Sequence, residues 1–115
     1  MAYTKAAKVL GMNQVYKLAD NIKRYSLRDV GFIESKNGKF QLERSLDPRM
    51  PINQSFKFKM VVQNDLHNFK MATVTANGLK EVNIFKANDA EKKITQLEYI
   101  IKDLQEHNIL VIEEK

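Results

Sequence analysis

At 115 residues the chain is long enough to build one hydrophobic core without staples, and 43% hydrophobic with 29% charged residues is the balance of a globular protein, not a disordered one. It has no cysteine, which excludes disulfides, thiolate metal sites, iron–sulfur clusters and thiol catalysis and fits a reducing cytoplasm. The net charge of +5 is unevenly spread: residues 1–86 carry 15 Lys and Arg against 7 Asp and Glu, a balance of +8, while residues 87–115 carry 4 against 7, a balance of −3.

A basic body with an acidic end can steer an anionic partner; the same lysines also serve simply to keep sheet edges soluble. At the N-terminus Lys5 and Lys8 interrupt the apolar stretch, against a signal peptide. No apolar run approaches the roughly 18 residues of a membrane helix. A soluble, cytoplasmic protein forming a single domain over residues 1–115 is expected. Residues 13–18 and 22–29 read as extended, although Ile22-Lys23-Arg24-Tyr25 also suits a helical turn.

Two Asn-Gly pairs are the strongest local signals, because a two-residue type I′ turn needs positive φ at both central positions. A turn at Asn37-Gly38 sets Ile33 opposite Leu42 and Phe32 opposite Glu43. One face then carries Ile33, Phe40 and Leu42, and the other Phe32, Lys39, Gln41 and Glu43. In the same phase Arg44 falls on the apolar face, where a guanidinium needs a carboxylate, a carbonyl or an exit at the rim.

The connection that follows, Arg44 to Ser55, holds Pro48 and Pro51 together with Arg49, Asn53 and Gln54. Stiff loops bearing polar groups often form binding sites. Arg44, Arg49, Asn53 and Gln54 are therefore candidates for an anion pocket in which two guanidinium groups clasp a carboxylate or phosphate. The structural alternative pairs Arg44 with Asp47, or lets it snorkel to solvent, and leaves the prolines to turn a corner.

Residues 56–62 alternate at period two, with Phe56, Phe58, Met60 and Val62 on one side and Lys57 and Lys59 on the other. Asn64 to Asn68 connects to a second hairpin, in which a turn at Asn77-Gly78 sets Val74 opposite Glu81, Thr73 opposite Val82 and Met71 opposite Ile84. Its inner face is Phe69, Met71, Thr73, Val82 and Ile84; its outer face includes Lys70, Ala72, Val74, Glu81, Asn83 and Phe85. Phe32, Lys57, Lys59, Lys70, Asn83 and Phe85 are thus expected on one open sheet face. Aromatics interleaved with lysines suit single-stranded RNA, with stacked bases and tracked phosphates, but Glu43 and Glu81 share that face. A solvated face, a protein partner, or a homodimer seated on Ala72, Val74 and Phe85 are the competing readings.

Beyond Phe85 the period changes. Ile94, Leu97, Ile101 and Leu104 form one helical stripe, with Asn88 as N-cap, Glu91 completing a capping box, and His107 near the C-terminal end of the dipole. Ile109 to Ile112 reads as a final strand. The fold class is α+β: a curved antiparallel sheet built from hairpins, one face covered by an amphipathic C-terminal helix.

His67 and His107 lie outside any ligand-spaced cluster, no phosphate-binding glycine loop is present, and no carboxylate pair or nucleophile stands in a catalytic context. No metal, cofactor or catalytic residue is assigned.

Leu42-Glu43-Arg44-Ser45-Leu46-Asp47-Pro48, Pro51-Ile52-Asn53-Gln54-Ser55 and Thr75-Ala76-Asn77-Gly78-Leu79, followed by Val82-Asn83-Ile84-Phe85-Lys86, resemble the DUF1831 family of lactobacilli and related Firmicutes over nearly the whole chain. That resemblance implies a curved antiparallel sheet with a TATA-binding-protein-like aspect and a link to amino-acid metabolism. It supplies no catalytic residues. A non-catalytic binding or accessory module, holding an anionic metabolite or a partner enzyme, is the leading expectation; nucleic-acid binding comes second and a small enzyme third.

Overall fold

The computed structural model describes residues 3–47, 49, 54–87 and 89–113. Its strands are β1 (Ala6–Ala7), β2 (Tyr16–Leu18), β3 (Ile33–Glu34), β4 (Phe40–Ser45), β5 (Lys57–Val62), β6 (Phe69–Val74) and β7 (Leu110–Ile112). Its helices are α1 (Arg24–Asp29) and α2 (Ala90–Glu106), with a 3₁₀ turn at Ile84–Lys86. The α+β class is as expected, but there are two antiparallel sheets where one was anticipated: a three-stranded sheet in the order β1-β2-β7 and a four-stranded meander β3-β4-β5-β6.

The central hairpin β4-β5-β6 keeps its register throughout, with Leu42, Met60 and Met71 in one row and Arg44, Phe58 and Thr73 in the next. Phe40, Phe58, Met60, Phe69 and Met71 are buried. Thr73 is also fully buried, and its hydroxyl donates to the Val82 carbonyl at 2.7 Å, so the polar group is satisfied in place. Leu97, Ile100, Ile101 and Leu104 of α2 close over this face, and Leu18, Ile109 and Leu110 join them from the three-stranded sheet. Each such side chain contributes about 1.5–3 kcal/mol by leaving water. Ile94, the first residue of the expected stripe, is half-buried at its edge.

Three expectations need correction. The first concerns the hairpin at Asn37-Gly38. Ile33 pairs with Gln41 and Glu34 with Phe40, one residue out of the expected register. The loop is three residues long: the Ser35 N–H donates to the Lys39 carbonyl at 2.7 Å, and only Gly38 has positive φ, at 84°. The Asn37 side chain accepts from the Ser35 hydroxyl, so Asn37 serves the turn through its amide and needs no left-handed backbone. A one-residue offset exchanges faces: Phe32 is 4% exposed and part of the core, whereas Ile33 is 75% exposed.

The second correction lies at residues 22–29, where the chain is helical from Arg24 to Asp29 and the helical-turn alternative holds. Arg24 and Arg28 of this helix lie with their guanidinium carbons 5.8 Å from the centroid of the Phe40 ring, so α1 roofs that end of the core. The third is the arm after Asn77-Gly78. Val74 does bridge Glu81, and the Val82 N–H donates to the Thr73 carbonyl at 2.8 Å, as the register required. The strand then ends. Ile84 enters the core from a 3₁₀ turn and does not pair with Met71. The expected cap at Asn88 lies outside the described residues; Asp89, at φ 55°, occupies the N-cap position of α2 without a side-chain bond.

Candidate functional site

Among the described residues, the Arg44-to-Ser55 connection does not gather its polar side chains into one pocket. Arg44 keeps the phase expected of it, on the helix-covered side of β4, and leaves at the rim toward α2. There its Nη1 stands 3.9 Å from Asp103 Oδ2, with both side chains about two-fifths exposed. Asp103 also receives His107 at the helix end, with Nδ1 3.4 Å from Oδ1. Arg49 turns the other way and pairs with Asp47, Nε to Oδ1 at 3.4 Å, while its own N–H donates to the same oxygen. That N–H first, and the guanidinium with it, hold the Asp47 carboxyl below the usual carboxylate range. Gln54 lines a further hollow beside Phe56 and Lys93, and Asn53 lies outside the described residues. Each guanidinium therefore has a carboxylate of its own, in adjacent hollows that share Gln96.

The open face of the meander is built differently. Three cross-strand rows run over it: Gln41–Val61–Lys70, Glu43–Lys59–Ala72, and Ser45–Lys57–Val74. Val61, Ala72 and Val74 are 3%, 8% and 7% exposed although no helix covers them. Lysine methylenes can cover apolar surface while the ammonium stays in water, and Lys59, Lys70 and Lys80 flank these residues. The Asn77-Gly78 hairpin rises beside these residues and encloses a groove of about 250 Å³, floored by Val61, Ala72 and Val74 and flanked by Lys59, Lys70 and Lys80. Glu81 stands at the same margin, and Leu79, at 85% exposed, overhangs it.

Of the residues expected on this face, the lysines are there and the aromatics are not. Lys57 pairs with Glu43 at 3.2 Å. Lys70 lies 4.7 Å from the centroid of the Tyr3 ring, and Lys39 lies 5.0 Å from it. Among the described residues no ion pair involves Lys59 or Lys80. Phe32 is in the core because of the register offset. Phe85 packs against the core from the 3₁₀ turn. Asn83 caps that turn, its Oδ1 accepting the Phe85 N–H at 3.0 Å. The side chain is tightly held against Gly11, where an added Cβ would come within 2.4 Å of the same oxygen.

Two contributors were missed. Lys80 follows the Asn-Gly signal directly, and the register through Val74 and Glu81 was sufficient to place it; Tyr3 precedes β1 with no periodic pattern to reveal it. Among the described residues no group of three His, Asp or Glu side chains is placed to hold a metal ion, and no helix is long and apolar enough to cross a membrane.

The fold and this face define a small α+β protein whose basic sheet surface is open while its opposite surface is core. The chain belongs to the DUF1831 family, which it matches over residues 1–111 and whose description reads "Putative amino acid metabolism". It is similar to a DUF1831 family protein from Lactobacillus plantarum of known crystal structure, at 44% identity and a TM-score of 0.89, with 98% of this chain and 99% of that one aligned. No functionally curated protein matches the chain.

Proposed function

We propose that the protein is a non-catalytic accessory module of amino-acid metabolism that holds an anionic metabolite with an apolar portion in the lysine-flanked groove. The observation that carries this reading is the pairing of a shielded apolar floor, Val61, Ala72 and Val74, with three surrounding ammonium groups, Lys59, Lys70 and Lys80. A carboxylate or phosphate gains charge-assisted hydrogen bonds at the rim, and an apolar body displaces water from the floor. At about 250 Å³ the groove lies near the small end of ligand clefts, which favours a metabolite over a peptide. The metabolic context comes from the family description. Nucleic-acid binding is the weaker reading: with Phe32 buried and Phe85 packed on the core, both aromatics expected on this face are gone from it, and Tyr3 is already engaged by Lys39 and Lys70.

The test is calorimetry and thermal shift with a panel of carboxylates and phosphates, comparing wild type with a Lys59→Ala, Lys70→Ala, Lys80→Ala triple variant. A true ligand at 100 times its Kd stabilises the wild type by about 2.7 kcal/mol. The effect should vanish in the variant and weaken as salt is raised. Equal stabilisation of both proteins, or of neither, rejects the groove as the site.

A further inference from the structure

A second cavity lies where the two sheets part. Thr4 bridges Phe69 at the start of β6, and two residues later Ala6 pairs with Lys17 of β2, so the N-terminal segment steps from one sheet to the other. A wedge of about 520 Å³ opens beside this step, closed at its far end by the β5–β6 turn. Its floor includes the buried Leu18 and Ala19. Its lining carries both signs of charge: Lys5 on the step between the sheets, Lys17 on β2, Asp20 just beyond it, and Asp65 on the turn.

These four groups do not neutralise one another. Among the described residues no ion pair joins any two of them, and none joins Lys5, Lys17 or Asp20 to another described side chain. Two of the four are held in place. Lys17 lies at the centre of its sheet, its backbone paired with Ala6 on one side and Val111 on the other. The Asp65 side chain is fixed by its own turn: Oδ1 accepts from the His67 and Asn68 N–H groups at 2.9 and 3.3 Å, and Oδ2 from Asn68 Nδ2 at 3.1 Å. The His67 N–H foremost, and then Asn68, keep this carboxyl below the ordinary carboxylate range, hence charged at neutral pH.

We infer that this inter-sheet wedge binds a small zwitterion of the amino-acid class, its carboxylate toward Lys5 and Lys17 and its ammonium toward Asp20 and Asp65. A ligand with only one charge satisfies one pair of these groups and leaves the other pair facing a like or unmatched charge. A zwitterion complements both, and the volume accommodates one with room for a side chain and water. This site is distinct from the lysine-flanked groove and does not depend on it.

The experiment is a two-dimensional amide NMR titration of the full chain with alanine, N-acetylalanine and alaninamide. Alanine should move the amides of Leu18, Ala19, His67 and Asn68, and each derivative, lacking one charge, should bind roughly tenfold more weakly or worse. Lys17→Gln and Asp20→Asn should each weaken alanine by a similar factor, with Lys5→Gln replacing the first if that variant fails to fold. The Lys59→Ala, Lys70→Ala, Lys80→Ala variant should bind alanine as wild type does, so that failure of the groove and failure of the wedge are told apart. Alanine leaving those amides unmoved, or moving them no more than its two derivatives, overturns the inference.

Discussion

At the scale of single residues, Phe32 and Ile33 decide the character of the open face. The two are neighbours of similar hydrophobicity, and a turn one residue longer than a type I′ loop puts the larger one inside. Phe32→Ala should cost about 3–5 kcal/mol, while Ile33→Ala should stay within about 0.5 kcal/mol, as measured by urea denaturation of each variant. The reverse order would mean that the type I′ register is the real one. The sequence pattern could not separate these cases, because Asn-Gly serves both a two-residue turn with two positive φ values and a three-residue loop in which only the glycine is left-handed. What did separate them physically was the Asn37 side chain, bonded to Ser35, and the larger area gained by burying a phenyl ring. Arg44 was legible for the opposite reason: it lies within an unbroken strand, so the alternation starting at Phe40 reaches it without a turn in between.

At the scale of elements, α2 and the meander were readable because their periodicities are long. Three of the four stripe residues of α2 are buried, and the β5 alternation sorted Phe58 and Met60 from Lys57 and Lys59. The short pieces were not. β1, β3 and β7 have two or three residues each, too few to show a period, and α1 has six. The contact between α2 and β4 combines an apolar seal with a peripheral ion pair, and the two should differ greatly in weight. Leu104→Ala removes a fully packed side chain and should cost about 2–5 kcal/mol. A double-mutant cycle on Arg44→Ala and Asp103→Ala should give a coupling below about 1 kcal/mol, because the pair is 3.9 Å apart and half in water. A much larger coupling energy would mark Arg44 as a structural clamp.

At the scale of the whole molecule, the buried cluster draws from both sheets, α1 and α2 without a break. Neither sheet therefore has a core of its own, and thermal unfolding followed by far- and near-ultraviolet circular dichroism should give coincident transitions. Separate midpoints would show two independently stable units. The partition of charge seen in the sequence also has a physical layout: the basic excess of residues 1–86 is displayed on the open face of the meander, where Lys59, Lys70 and Lys80 flank the groove, while the acidic helix lies across the opposite surface. The place of β2 bears on how the protein is born. Its two neighbours, β1 and β7, come from opposite ends of the described chain, and Lys17 meets Val111 across almost all of it. During synthesis β2 must wait with one edge bare until the last strand emerges, long after the meander has been able to pair locally. Such late closure slows folding and exposes a sticky edge. Lys17 in the middle of that edge, kept for a charged wedge in the finished protein, also discourages stray strand pairing in the nascent one.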